Sequence, residues 1–165
     1  MGILKYMLNQ DAGPDRAAPT VSEPELQIRS LIGEWSEALR AKDVARRTAH
    51  YAGDVLIFDV INPAQHAGLD ALRQRLAQWF STFDGPIDSE VRDLQVTADN
   101  QIAFCRSLQR FRGSLKNGGT LDMLVRYTTC LCKRDGRWLV THEHASTPFD
   151  PATGLATVIT PPSTP

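Results

Sequence analysis

The chain has 165 residues, 18 of them basic and 19 acidic, with 42% of them hydrophobic. One domain with a real core fits that length, and the balanced charge argues against nucleic acid or an anionic membrane as a bulk partner. No apolar run reaches the ~20 residues that a membrane-spanning helix needs.

Residues 1–21, including "NQDAGPDRAAPTVSEP", are rich in Pro, Asp and Ala without periodicity and are expected to form a flexible arm. The opening "MGILKYMLNQ" is too short and too weakly apolar for a signal peptide, so a cytoplasmic location is expected. Three cysteines, Cys105, Cys130 and Cys132, sit within strand-like stretches and are expected to be reduced packing residues.

Ser22-x-x-Glu25 resembles a capping box, with Pro24 in the first turn. Ile28, Leu31, Ile32, Trp35, Ala38 and Leu39 follow at helical spacing, predicting a helix that ends near Lys42. Asp43 can cap a shorter helix carrying Val44, Thr48 and Tyr51. "DVLIFDV" reads as a buried strand and "NPAQHAG" as a loop. A third helix carries Leu69, Leu72, Leu76, Trp79, Phe80 and Phe83 on one stripe until "FDGP" stops it. Four strands come next, "SEVRDLQVTA", "QIAFCRSLQRFRGSL", "TLDMLVRYTTCLCKR" and "GRWLVTHEHAS", each separated from the next by an Asp, Asn or Gly turn.

This order predicts an α+β domain over residues 22–149, with three helices on a curved antiparallel sheet and a flexible tail at 150–165. A sheet curved around helices makes a cone, and its open end a pocket. Leu124, Tyr127, Leu131, Trp138 and Val140 are expected to leave one sheet face apolar, which a homodimer or larger homo-oligomer would cover.

The segments "SEALRAKD", "YAGDVLIFD", "QIAFCRS" and "KRDGRWLVTHEHAS", in this order, resemble the nuclear transport factor 2-like superfamily. That group includes ketosteroid isomerases, SnoaL-like polyketide cyclases and the calcium/calmodulin-dependent protein kinase II association domain. The resemblance covers residues 26–149 and implies a cone-shaped fold, but the fold alone does not decide between enzyme and binding module.

Asp59 interrupts an apolar strand at its end, and the resemblance places it where the isomerase has its general base. Removal from water would make it a stronger base toward a proton beside a carbonyl; alternatively it caps backbone amides of the following loop. Arg106, Leu108 and Arg110 share one strand face, and the resemblance implies a pocket-directed arginine at Arg106. If that face is convex, both arginines are solvated charges instead.

Trp35 stands where the isomerase has its oxyanion-hole tyrosine, and Thr128 near the position of the second oxyanion partner. The familiar oxyanion pair is therefore missing, which argues against steroid isomerisation by that route. Tyr51, Phe58, Trp79, Phe83 and Tyr127 are candidates for an aromatic pocket lining or for plain core, and His66 for the pocket mouth or an exposed loop.

In the last strand, alternation places Trp138, Val140, His142, His144 and Ser146 on one face and Leu139, Thr141, Glu143 and Ala145 on the other. The resemblance points Glu143 and Ala145 inward. The two histidines lack a third ligand at motif spacing, so no metal is expected.

Two functions stay open. In one, Asp59 or Glu143 abstracts a proton from a small hydrophobic or anionic carbonyl compound while Arg106 steadies the oxyanion, giving cofactor-free isomerisation, dehydration or cyclisation. In the other, the pocket belongs to a non-catalytic binding or assembly module.

Overall fold

The computed structural model describes residues 21–156; residues 1–20 of the arm expected at 1–21, and the tail beyond 156, lie outside the described residues. Three helices, α1 (Glu23–Arg40), α2 (Val44–Arg47) and α3 (Leu69–Ser81), pack against six strands. The strands are β1 (Tyr51–Phe58), β2 (Gln65–Ala67), β3 (Asp88–Ala98), β4 (Ile102–Ser114), β5 (Thr120–Arg134) and β6 (Arg137–Ser146).

Ser22 caps α1 by accepting the Glu25 amide at 3.4 Å, and the six apolar positions expected on its stripe are all buried. Asp43 caps α2 through the Arg46 amide at 2.9 Å. That helix stops at Arg47, and Tyr51 opens β1 rather than continuing the helix. Gly68 takes φ 87° at the start of α3, a backbone conformation open to glycine.

The sheet runs β2-β1-β6-β5-β4-β3 and is mixed: β1 lies parallel to β6 while every other pairing is antiparallel. The expectation of a wholly antiparallel sheet is corrected there, because α3 and the β3–β5 meander separate β1 from its partner. Residues 65–67, expected in a loop, form the edge strand β2. Residues 150–156, expected in a loose tail, close a turn in which the Asp150 amide donates to the Leu155 carbonyl at 2.8 Å.

Two apolar clusters fill the space between helices and sheet. One joins Ile28, Leu31, Ile32 and Trp35 to Val55, Leu131, Trp138 and Val140. The other joins Leu39, Phe80, Phe83 and Ile87 to Phe111, Val125 and Ala145. Gly113 allows Phe83 this close approach, since a Cβ there would stand 2.7 Å from its ring.

A bulge in β6 decides which side chains face the helices. Cys130 pairs with His142 but Leu131 pairs with Val140, so Thr141 is an extra residue. Trp138 and Val140 therefore share the inner, buried side with Glu143 and Ala145. Strict alternation had put Trp138 and Val140 on the outer face. Tyr127 and Leu131 are inward too, so four of the five residues expected to expose an apolar sheet face belong to the inner side. Phe58, Ile102 and Phe104 remain exposed.

Candidate active site

A narrow cavity of about 80 Å³ opens between α3, the end of α1 and the inner sheet face. Its walls are mostly apolar, with Leu39, Leu76, Trp79, Phe111, Val125 and Ala145 among them. Five polar side chains enter it: Arg47, Asp59, Arg75, Tyr127 and Glu143. That volume is well below the roughly 300 Å³ at which drug-sized pockets begin, which suits a small ligand rather than a steroid.

Glu143 projects from β6 just beyond the bulge. Its Oε2 accepts the Tyr51 hydroxyl at 2.6 Å and lies 3.6 Å from an Arg47 guanidinium nitrogen. Arg47 also donates to the Tyr51 oxygen. The guanidinium stacks 4.4 Å from the Trp35 ring centroid and 5.0 Å from that of Tyr51. Burial works against the Arg47 cation, but the Tyr51 oxygen and the Glu143 carboxylate outweigh it and hold its pKa above the ordinary value. Burial, reinforced by Glu143 and opposed by Arg47, pushes the Tyr51 phenol well above its usual range.

Oε1 of Glu143 has no hydrogen-bond partner among the described residues, yet it is not sealed from the cavity. The Tyr127 hydroxyl shares both properties. Burial and then the Glu143 charge raise the Tyr127 pKa, so the phenol keeps its proton and stays a donor.

Asp59 follows β1 directly. Its Oδ1 accepts the Val60 amide at 2.6 Å and the Ile61 amide at 3.4 Å, while Oδ2 accepts Arg75 Nε at 2.8 Å. His66 Nε2 lies 3.5 Å from Oδ2 and has no hydrogen-bond partner among the described residues. Both readings of Asp59 hold in part: it lines the cavity, and it caps its own loop. Its lone pairs are largely occupied, which suits an anchor for Arg75.

Of the residues singled out in the sequence, Asp59, Trp79, Tyr127, Glu143 and Ala145 line the cavity. Tyr51 and His66 stand behind it, each touching a lining carboxylate. Trp35 and Phe83 are buried core. Arg106, Leu108, Arg110 and Thr128 lie on the outer face: Arg106 donates to the Gln95 side chain, and Arg110 forms a two-pronged pair with Asp122 at 2.8 and 2.7 Å. The expected pocket role of Arg106 is thereby corrected. Strand β4 carries apolar residues in both phases, and it is Ala103, Cys105, Gln109 and Phe111 that turn inward.

Phe58 is likewise outward, its ring centroid 4.9 Å from that of His142 and 5.8 Å from that of His144. His142 Nδ1 meets the Leu56 carbonyl at 2.8 Å, which requires that nitrogen to be the donor. Among the described residues no three His, Cys, Asp or Glu side chains converge as a metal ligand set would.

Arg47 and Arg75 were missed. Arg75 lies three residues after Leu72 and four before Trp79, within the apolar stripe of α3, and Arg47 stands four before Tyr51. A charge interrupting an apolar stripe was the available signal.

A fold in which helices close a curved sheet over one small cavity is that of the nuclear transport factor 2-like proteins. Residues 28–150 match the family model of the SnoaL-like domain, and the chain belongs to that family. No curated protein matches it.

Among solved structures it is similar to a nuclear transport factor 2-like protein of unknown function from Pseudomonas putida KT2440. That match has 31% identity and a TM-score of 0.75, and covers 84% of this chain and 96% of the other. A chain from Xanthomonas campestris, provisionally assigned as a calcium/calmodulin-dependent protein kinase II association domain, shares 22% identity at a TM-score of 0.66, over 80% of this chain and 93% of its own. One from Streptomyces avermitilis, provisionally assigned as a dehydratase, shares 16% at 0.67, over 77% and 97%. The last two likenesses show the fold alone. No helix among the described residues is long and apolar enough to cross a membrane.

Proposed function

We propose that the chain is an enzyme moving a proton at the carbon beside a small ligand's carbonyl, with Glu143 as general base. The observation that carries this is the pair of unengaged groups at one apolar cavity: Glu143 Oε1, an acceptor, and the Tyr127 hydroxyl, a donor. Glu143 takes the proton from carbon, the C–H electron pair becomes the C=C bond of an enolate, and the carbonyl π pair moves to oxygen. Tyr127 donates a hydrogen bond to that oxygen. Return of the proton to another carbon completes an isomerisation; its delivery to a departing β-hydroxyl completes a dehydration and releases water. Neither route consumes a cofactor.

Asp59 serves here as the partner that orients Arg75. Tyr51 and Arg47 hold Glu143 through Oε2, which keeps Oε1 directed at the cavity. The exposed Phe58, Ile102 and Phe104 on the outer sheet face offer the surface for pairing with a second copy.

The test is exchange of carbon-bound hydrogen in deuterium oxide over a panel of small ketones and oxo acids, followed by NMR. The wild type should accelerate loss of the α-proton signal, and Glu143→Gln should lower that rate by about 10²–10⁴-fold. Equal rates in the two proteins would remove Glu143 as base. Binding without any exchange above buffer would support the non-catalytic alternative.

A further inference from the structure

We infer that the substrate carries a carboxylate, held by Arg75 in the wall of the cavity; this rests on the proton-transfer reading of the same site. Arg75 reaches from α3 into the cavity wall with a side chain 16% exposed, and it spends only Nε on Asp59, at 2.8 Å. Its two terminal nitrogens have no hydrogen-bond partner among the described residues and are not sealed from solvent. Asp59 is itself fixed by the Val60 and Ile61 amides, so it holds the guanidinium plane rather than following it. A guanidinium anchored through one edge offers its other edge as two parallel donors, the geometry that a carboxylate accepts.

Arg47, the other cation of the cavity, does not compete for this role, since Tyr51 and Glu143 already engage it. Two arginines face two carboxylates there, so the cavity walls set no net negative charge against an incoming anion. The small volume adds a length limit. Arg75, Tyr127 and Glu143 all line this one small cavity, so carboxylate and ketone belong to one short chain, as in a small oxo acid.

The experiment is calorimetric titration of 2-oxobutanoate, 3-oxobutanoate and 4-oxopentanoate, each against its amide, into wild type and Arg75→Gln. At least one acid should bind wild type ~10-fold or more tightly than its amide, as a hydrogen bond to a charged group implies. Arg75→Gln should erase that preference by weakening the acid far more than its amide. Equal binding of acid and amide in every pair, no binding of any acid, or a preference that survives Arg75→Gln would each overturn the inference. Exchange of the amides' α-protons with its Glu143 dependence intact would then show that proton transfer stands without the carboxylate.

Discussion

Removing Arg47 and Glu143 together should cost less stability than the sum of their separate losses. Both side chains are 6% exposed and their charged atoms approach to 3.6 Å. At an effective dielectric constant of about 20, that separation gives an attraction of roughly 4–5 kcal/mol. Arg47→Met leaves the buried carboxylate with Tyr51 alone, and Glu143→Leu leaves the buried guanidinium without its anion. Each single change should cost about 3–5 kcal/mol, the range for breaking a buried pair from one side. For a domain of this size that lowers Tm by about 6–20 °C. In the double variant neither charge is stranded, so its loss should fall below the sum of the singles by about 1–3 kcal/mol. Urea unfolding followed by circular dichroism on the four proteins measures this. If the two losses simply add to within ~0.5 kcal/mol, Arg47 and Glu143 are not coupled and Glu143 is not held as described.

Asp59→Asn should lower Tm by several degrees, since the mostly buried Arg75 loses its anion at a cost of about 1–3 kcal/mol, yet reduce α-proton exchange far less than Glu143→Gln; equal losses would make Asp59 a base as well. Tyr51 and Tyr127 both have raised pKa values, principally through burial. In the native state at most one of the three tyrosines should therefore ionise near pH 10 by absorbance at 295 nm. Because the unfolded phenols ionise first, stability is retained below about pH 10 and falls as pH rises above it; two or more phenols titrating normally in the folded protein would contradict the site. The Cys105 thiol, pushed up to about 11 by burial, should resist an aromatic disulfide reagent at pH 8 while the chain is folded, and prompt labelling there would show a looser inner sheet.

The sequence disclosed what periodicity controls. Helix α1 is legible because Ile28, Leu31, Ile32, Trp35, Ala38 and Leu39 repeat at helical spacing behind a Ser22 cap, and each is buried as that spacing requires. Asp59 was legible as a charge ending an apolar strand and Glu143 through the family resemblance, and both line the cavity.

What failed was strand phase. A single inserted residue, Thr141, reverses alternation in β6, and nothing in "WLVTHEH" announces where the insertion falls. The phase of β4 stayed open for the same reason, since "IAFCRSL" offers apolar residues to both sides; the resemblance implied an inward Arg106, and the alternative outer placement of both arginines is the one observed. Parallel pairing of β1 with β6 could not be read either, because it depends on where the chain returns across the sheet. Arg75 was overlooked because Trp79 and Leu76 dominate its stripe, although the charge at that position is what a functional helix face would show.

The crystal structure of the protein with a small planar enolate analogue bound tests the central claim most directly. An analogue oxygen should lie within about 3 Å of the Tyr127 hydroxyl, with Glu143 Oε1 facing the carbon that carries the labile hydrogen. An analogue bound outside the cavity, or one inside it with Glu143 Oε1 turned to a protein partner, would contradict the account.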